Sequence, residues 1–130
     1  MVKDKIPDYY DTLIRALIDE YGDNFSHTRK YENSPSSFPH LYFKVISSSD
    51  IALAQNGEIY GRSYGVEINA YHNEGISEAE EFAETIRRIM TSTQYDIRMN
   101  CKYFDQVDNP ADSSIVRYIL RFQGKTTEKE

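Results

Sequence analysis

The residues of this chain that could do chemistry are three histidines, one cysteine and two acidic groupings, and their spacing argues against catalysis. His27, His40 and His72 lie far apart, and none has a second histidine four positions away, the offset that sets two imidazoles on one helical face for a metal. Asp105, Asp108 and Asp112 could approach a hard cation, but they lack the glycine and closing glutamate of a calcium loop. A turn around Asn109-Pro110 accounts for them better. The glycines of Gly57-Glu-Ile-Tyr-Gly61-Arg62 have no Lys-Ser or Lys-Thr pair and fall in a hairpin, so a phosphate cradle is not expected. No serine stands in a nucleophile elbow. Cys101 alternates with polar residues and reads as a small core side chain; standing alone, it excludes an internal disulfide and a multi-thiolate zinc site. The expectation is no catalytic residue, no metal and no cofactor.

The elements that must position these residues are read from periodicity. Ser77 to Tyr95 is the clearest helix: Phe82, Ala83, Ile86, Ile89 and Met90 form an apolar stripe at offsets of three and four. Ser77 and Glu80 have the spacing of a capping box, and Glu78, Glu80, Glu81 and Glu84 precede Arg87 and Arg88 as the helix dipole favours. A first helix, capped by Asp8 and stopped by Gly22, has its apolar positions at Tyr9 or Tyr10, Leu13, Ile14, Leu17, Ile18 and Tyr21. A polar loop follows, in which residues 28–31 could form a short edge strand. Strands are expected over 40–47, 63–72, 96–104 and 115–123, each alternating apolar and polar positions. The serine run 47–50 reads as a break, and beyond it Asn56-Gly57 as the turn of a projecting hairpin with arms at 51–55 and 58–62. In the strand 96–104, Ile97, Met99, Cys101 and Tyr103 are expected on the buried side; in the last strand, Val116, Tyr118, Leu120 and Phe122. The fold class is therefore α+β: a mostly antiparallel sheet of about four to five strands with two amphipathic helices on one face and a projecting hairpin.

At 130 residues the chain fits one domain, 1–130, with 1–7 and 124–130 expected as flexible tails, and such a domain buries roughly two-thirds of its unfolded surface. The formal net charge is −6, and Lys and Arg are dispersed along the sequence, so no basic stripe for nucleic-acid phosphates is expected. No apolar run reaches membrane-spanning length and the N-terminus lacks a signal peptide's apolar segment; the expectation is a soluble intracellular product without a membrane partner. Eleven tyrosines without a tryptophan hint at assembly, because tyrosine is enriched at protein interfaces.

The order of features resembles the tail terminator and related tail completion or head-to-tail joining proteins of long-tailed bacteriophages and phage-derived particles. The resemblance rests on the N-terminal amphipathic helix ending in Tyr-Gly and on Ser-Pro-Ser-Ser-Phe-Pro-His-Leu-Tyr-Phe at 34–43. It continues with Tyr-Gly-Val-Glu-Ile-Asn-Ala-Tyr at 64–71, the helix from Ser77, and Arg-Tyr-Ile-Leu-Arg-Phe-Gln-Gly at 117–124. It spans nearly the whole chain as a pattern of element order and residue type, without a catalytic motif. It implies a structural virion protein of the tail's neck region, assembled in the host cytoplasm. Its copies would close into a ring, usually a hexamer, that caps the tail-tube protein and presents a docking surface to the head-tail connector protein. The resemblance implies that DNA passes through such a ring without specific nucleic-acid binding. A completion or joining role is the neighbouring alternative, and a small α+β ligand-binding module or enzyme the alternative from another class. Candidate contact residues are Asn56, Gly57, Glu58 and Tyr60 of the hairpin, Asp105, Asp108 and Asp112 of the acidic loop, and Arg117 and Arg121. The two arginines share one side of the last strand; they read either as solvated positions or as partners for a neighbouring subunit's carboxylates, and the enrichment of Arg at interfaces favours the second.

Overall fold

The computed structural model describes residues 4–30, 35, 37–53, 59–109 and 112–127. The elements run α1 (Ile6–Tyr21), a single 3-10 turn (Gly22–Asn24), β1 (Ser26–Thr28), β2 (His40–Leu53), β3 (Ile59–His72), α2 (Ile76–Thr91), β4 (Asn100–Val107) and β5 (Val116–Thr127). The strands form one sheet of order β1-β2-β3-β5-β4, in which β1 runs parallel to β2 and every other neighbour is antiparallel. The α+β class and the two helices on one face match the expectation from sequence.

Strand alternation decides which residues meet the helices. Leu41 and Phe43 of β2, Val66 and Ile68 of β3, and Leu120 and Phe122 of β5 are fully or almost fully buried beneath Leu13 and Leu17 of α1 and Phe82, Ile86 and Met90 of α2. Phe82 is the hub of this layer. Its ring meets those of Tyr21 at 5.3 Å, Phe25 at 6.1 Å and His72 at 6.3 Å, so it ties α1, the chain leading into β1 and the end of β3 to α2. His72 also holds the turn into α2, because its Nδ1 accepts the backbone N–H groups of Asn73 at 3.1 Å and Glu74 at 3.4 Å.

Several local expectations are corrected. The start of α2 is set by Gly75, whose φ of 106° suits glycine, and no side chain caps it; Ser77 already lies inside the helix, so the Ser77–Glu80 capping box does not form. The same helix ends at Thr91, with Tyr95 in the turns beyond it. The N-terminal helix begins at Ile6, two residues before Asp8, because proline is tolerated in a first turn; Asp4 Oδ1 accepts the Ile6 N–H at 3.0 Å. Gly22 does end it, but Ile18 stands 45% exposed, outside the apolar stripe. The edge strand is Ser26–Thr28 rather than 28–31.

The serine run 47–50 is no break: Ser47, Ser48 and Ser49 pair with Gly65, Tyr64 and Ser63. β2 and β3 therefore pair without a break, because backbone hydrogen bonding to a well-packed partner outweighs the weak strand preference of serine, and the expected hairpin arms pair where they are described, Ala52 with Gly61 and Leu53 with Ile59. The Asn56-Gly57 turn lies outside the described residues. The fourth strand starts at Asn100, later than expected, because Asp96 (φ 58°) and Arg98 (φ 57°) take left-handed conformations that break the ladder while still burying Ile97 and Met99. The last strand continues through Gly124 to Thr127, paired with β3, where a tail was expected.

Phe82→Ala should lower the unfolding free energy by about 3–5 kcal/mol. Urea denaturation of the variant and wild type gives the difference; a loss below about 1 kcal/mol would contradict the hub role.

Candidate functional surface

Among the described residues, no helix lies on the other face of the sheet. Strand register sets its residues in rows: Lys44, Glu67, Arg121 and Tyr103 lie across four strands, as do Tyr42, Asn69, Ile119 and Asp105, and then His40, Tyr71, Arg117 and Val107. A polar network runs through the middle of these rows. Arg117 Nε donates to Asn69 Oδ1 at 3.0 Å, Asn69 Nδ2 donates to Glu67 Oε2 at 3.2 Å, and Arg121 Nε donates to Glu67 Oε1 at 3.0 Å. The Arg121 guanidinium also lies over the Tyr103 ring, 5.0 Å from its centre. Burial alone pushes the Glu67 carboxyl pKa upward, but the hydrogen bonds from Arg121 and Asn69, with the charges of Arg121 and Lys44, bring it below the ordinary value.

Two β-bulges shape this face. Between Val45 and Ser47, β2 carries one extra residue relative to β3, and Ile46 is left 52% exposed. Between Cys101 and Tyr103, β4 carries one extra residue relative to β5, at Lys102. Tyr103, expected in the core, thereby pairs with Arg121 on the open side and is 37% exposed, while Phe104 takes the inward position. Between the bulged strands lies a groove of about 520 Å³, walled by Lys44 and Ile46 on one side and Lys102 and Tyr103 on the other, with Gly65 in its lining. A Cβ at Gly65 would come within 2.7 Å of Ser47 Oγ, so the missing side chain lowers the floor.

Of the residues singled out from sequence, Asp105, Arg117 and Arg121 share this open face. Both arginines have a partner within the chain through Nε, Arg117 with Asn69 and Arg121 with Glu67. Asp108 and Asp112 sit apart, in the β4–β5 connection. Asp108 lines a shallow cleft beside Gly75 and Ile76, while the Asp112 carboxylate accepts the Ser114 N–H at 2.9 Å and hydroxyl at 2.7 Å, which hold its pKa below the usual range. Asn56, Gly57 and Glu58 lie outside the described residues, as does the side chain of Tyr60, whose backbone belongs to β3.

Sequence reasoning missed Lys44, Ile46, Glu67, Asn69, Lys102 and Tyr103 as surface determinants. For Lys44, Glu67 and Asn69 the signal was present in the alternation of β2 and β3. The dispersed cations are also gathered by the fold, since Lys44, Lys102 and Arg121 line one groove. Among the described residues, no group of three or more His, Cys, Asp or Glu side chains is placed to hold a metal, and no helix is long and apolar enough to cross a membrane. No family model matches the chain, and no curated protein matches it.

Glu67→Gln should cost up to about 1 kcal/mol at pH 7, the range of a partly exposed ion pair. Because the folded-state pKa is lowered, this stabilisation is complete above the unfolded carboxylate pKa and fades as pH falls through the folded value. Urea denaturation of both proteins should give curves that differ at pH 7 and converge on acidification; a gap that widens with acid would refute the network's electrostatic role.

Proposed function

We propose that this chain is a structural virion protein, a tail terminator whose copies close into a ring that caps the tail tube and offers a docking surface to the head connector. The observation that carries the reading is a two-layer fold with one sheet face free of helices among the described residues and two dissimilar sheet edges open. β1 pairs only with His40–Tyr42, so from Phe43 onward the outer edge of β2 has no strand partner among the described residues, and neither has the outer edge of β4. A subunit with different surfaces at its two sides associates head to tail, and head-to-tail contacts form a ring when the rotation between neighbours closes. The element order that resembles the terminator family supports the same reading. So does the absence of a catalytic constellation in the sequence, since capping a polymer needs complementary surfaces and no bond chemistry. The net charge of −6 suits a passage through which DNA must slide without sticking.

The test is co-expression with the tail-tube protein encoded in the same genome, followed by negative-stain imaging. Rings seated at tube ends and tubes of limited length are expected. Tubes that grow as long with the protein as without it, and bear no terminal ring, would overturn the assignment.

A further inference from the structure

We propose that the groove on the open sheet face receives the outer stripe of α1 from a second copy of this chain. The inference deepens the ring reading, and rests on it, by naming the two surfaces that meet.

Three observations support it. The groove has the width for a helix: β2 and β4 are separated by three inter-strand spacings, about 14 Å, against a helix diameter of about 10–12 Å. Its chemistry is cationic with apolar walls, because Lys44, Lys102 and Arg121 outnumber the single carboxylate of Glu67, and Ile46 and Tyr103 are exposed large apolar residues. The outer stripe of α1 is its complement. Asp11, Arg15, Ile18 and Asp19 recur at helical offsets, so the exposed Ile18 shares its stripe with two carboxylates, Asp11 and Asp19, whereas Glu20 turns away into the cleft against α2. Arg15 is neutralised by Asp11 at 3.0 Å, which leaves Asp19 as the charge of the stripe available to lysines across a contact.

The contact is between copies, since α1 covers the opposite face of the sheet from the groove. It has the form of an interface core, with an aliphatic and an aromatic anchor ringed by charged residues. Lys44 and Lys102 form no ion pair among the described residues, and their charges would be the ones satisfied on docking.

Charge reversal tests the pairing. The variants Lys44→Glu/Lys102→Glu in the groove and Asp11→Lys/Asp19→Lys on the stripe all change exposed side chains, and thermal unfolding followed by circular dichroism verifies that each still folds. Analytical ultracentrifugation is run at about 50 mM salt, where surface charges are weakly screened, and at protein concentrations up to about 1 mM. Wild type should associate, and less so as salt rises. Each variant alone should weaken association at least tenfold. An equimolar mixture should recover it, because the acidic groove of one variant matches the basic stripe of the other and the two unaltered surfaces still match.

A wild type that stays monomeric at the highest concentration, a variant that keeps the wild-type mass, or a mixture that fails to recover would each overturn the proposal. Retention of a labelled single-stranded oligonucleotide by monomeric wild type but not by the groove variant would assign the groove to a nucleic-acid strand and overturn it likewise. Imaging of the same samples separates this inference from the ring reading. Rings that survive both reversals refute the contact and leave the ring; open filaments abolished by either reversal establish the contact and refute ring closure.

Discussion

The burial of one sheet face beneath two amphipathic helices sustains the rest of the molecule. Phe43, Phe82, Leu120, Ile86 and Leu13 are each wholly buried there, and a side chain of that size contributes on the order of 1.5–3 kcal/mol when taken out of water. A partly exposed ion pair such as Arg121–Glu67 contributes about 1 kcal/mol at most. The covered layer therefore decides whether the chain folds. The open layer is left to meet other demands, and its polar network is too weak to explain its presence by stability alone.

The centre of that open layer is nevertheless closed to water. Asn69 and Tyr71 are each 2% exposed although no helix among the described residues lies over them. A buried amide is costly unless bonded, and Asn69 meets that requirement by accepting from Arg117 and donating to Glu67. Fixing Asn69 in turn fixes Glu67, which orients Arg121, which lies over Tyr103. The floor of the groove and its Tyr103 wall are thus ordered by contacts within the chain.

What the sequence made legible was periodic. The stripes of both helices, the inward face of β3 and β5, and the shared side of Arg117 and Arg121 all follow from offsets that survive in the structure. What it hid was local and depended on tertiary pairing. The bulges at Ile46 and Lys102 change parity within otherwise regular alternations, and no residue type there announces them, which is why Tyr103 was placed in the core. The serines at 47–49 carry poor strand preference yet are held by β3. Ser77 and Glu80 have capping-box spacing, but the chain turns at Gly75, two residues earlier, once His72 has fixed the preceding backbone. The groove, built from both bulges and a glycine on a third strand, exists only after those strands are in register, so none of its walls could be read as a motif.

Charge on the two layers restricts how copies can approach. In α1 and α2 together carboxylates outnumber guanidiniums, whereas the groove on the opposite side is cationic. Two copies meeting sheet to sheet would set Lys44 and Lys102 against the same lysines, and two meeting helix layer to helix layer would set Asp19 and Glu20 against their equivalents; like charges brought together in a contact oppose binding. Both symmetric pairings are therefore disfavoured, while the asymmetric one brings opposite signs together. An asymmetric contact leaves each copy with one surface still unfilled, so association continues until geometry closes it. The same two-layer construction that gives the chain a single core thus gives it a direction, and direction is what a subunit of a closed ring requires.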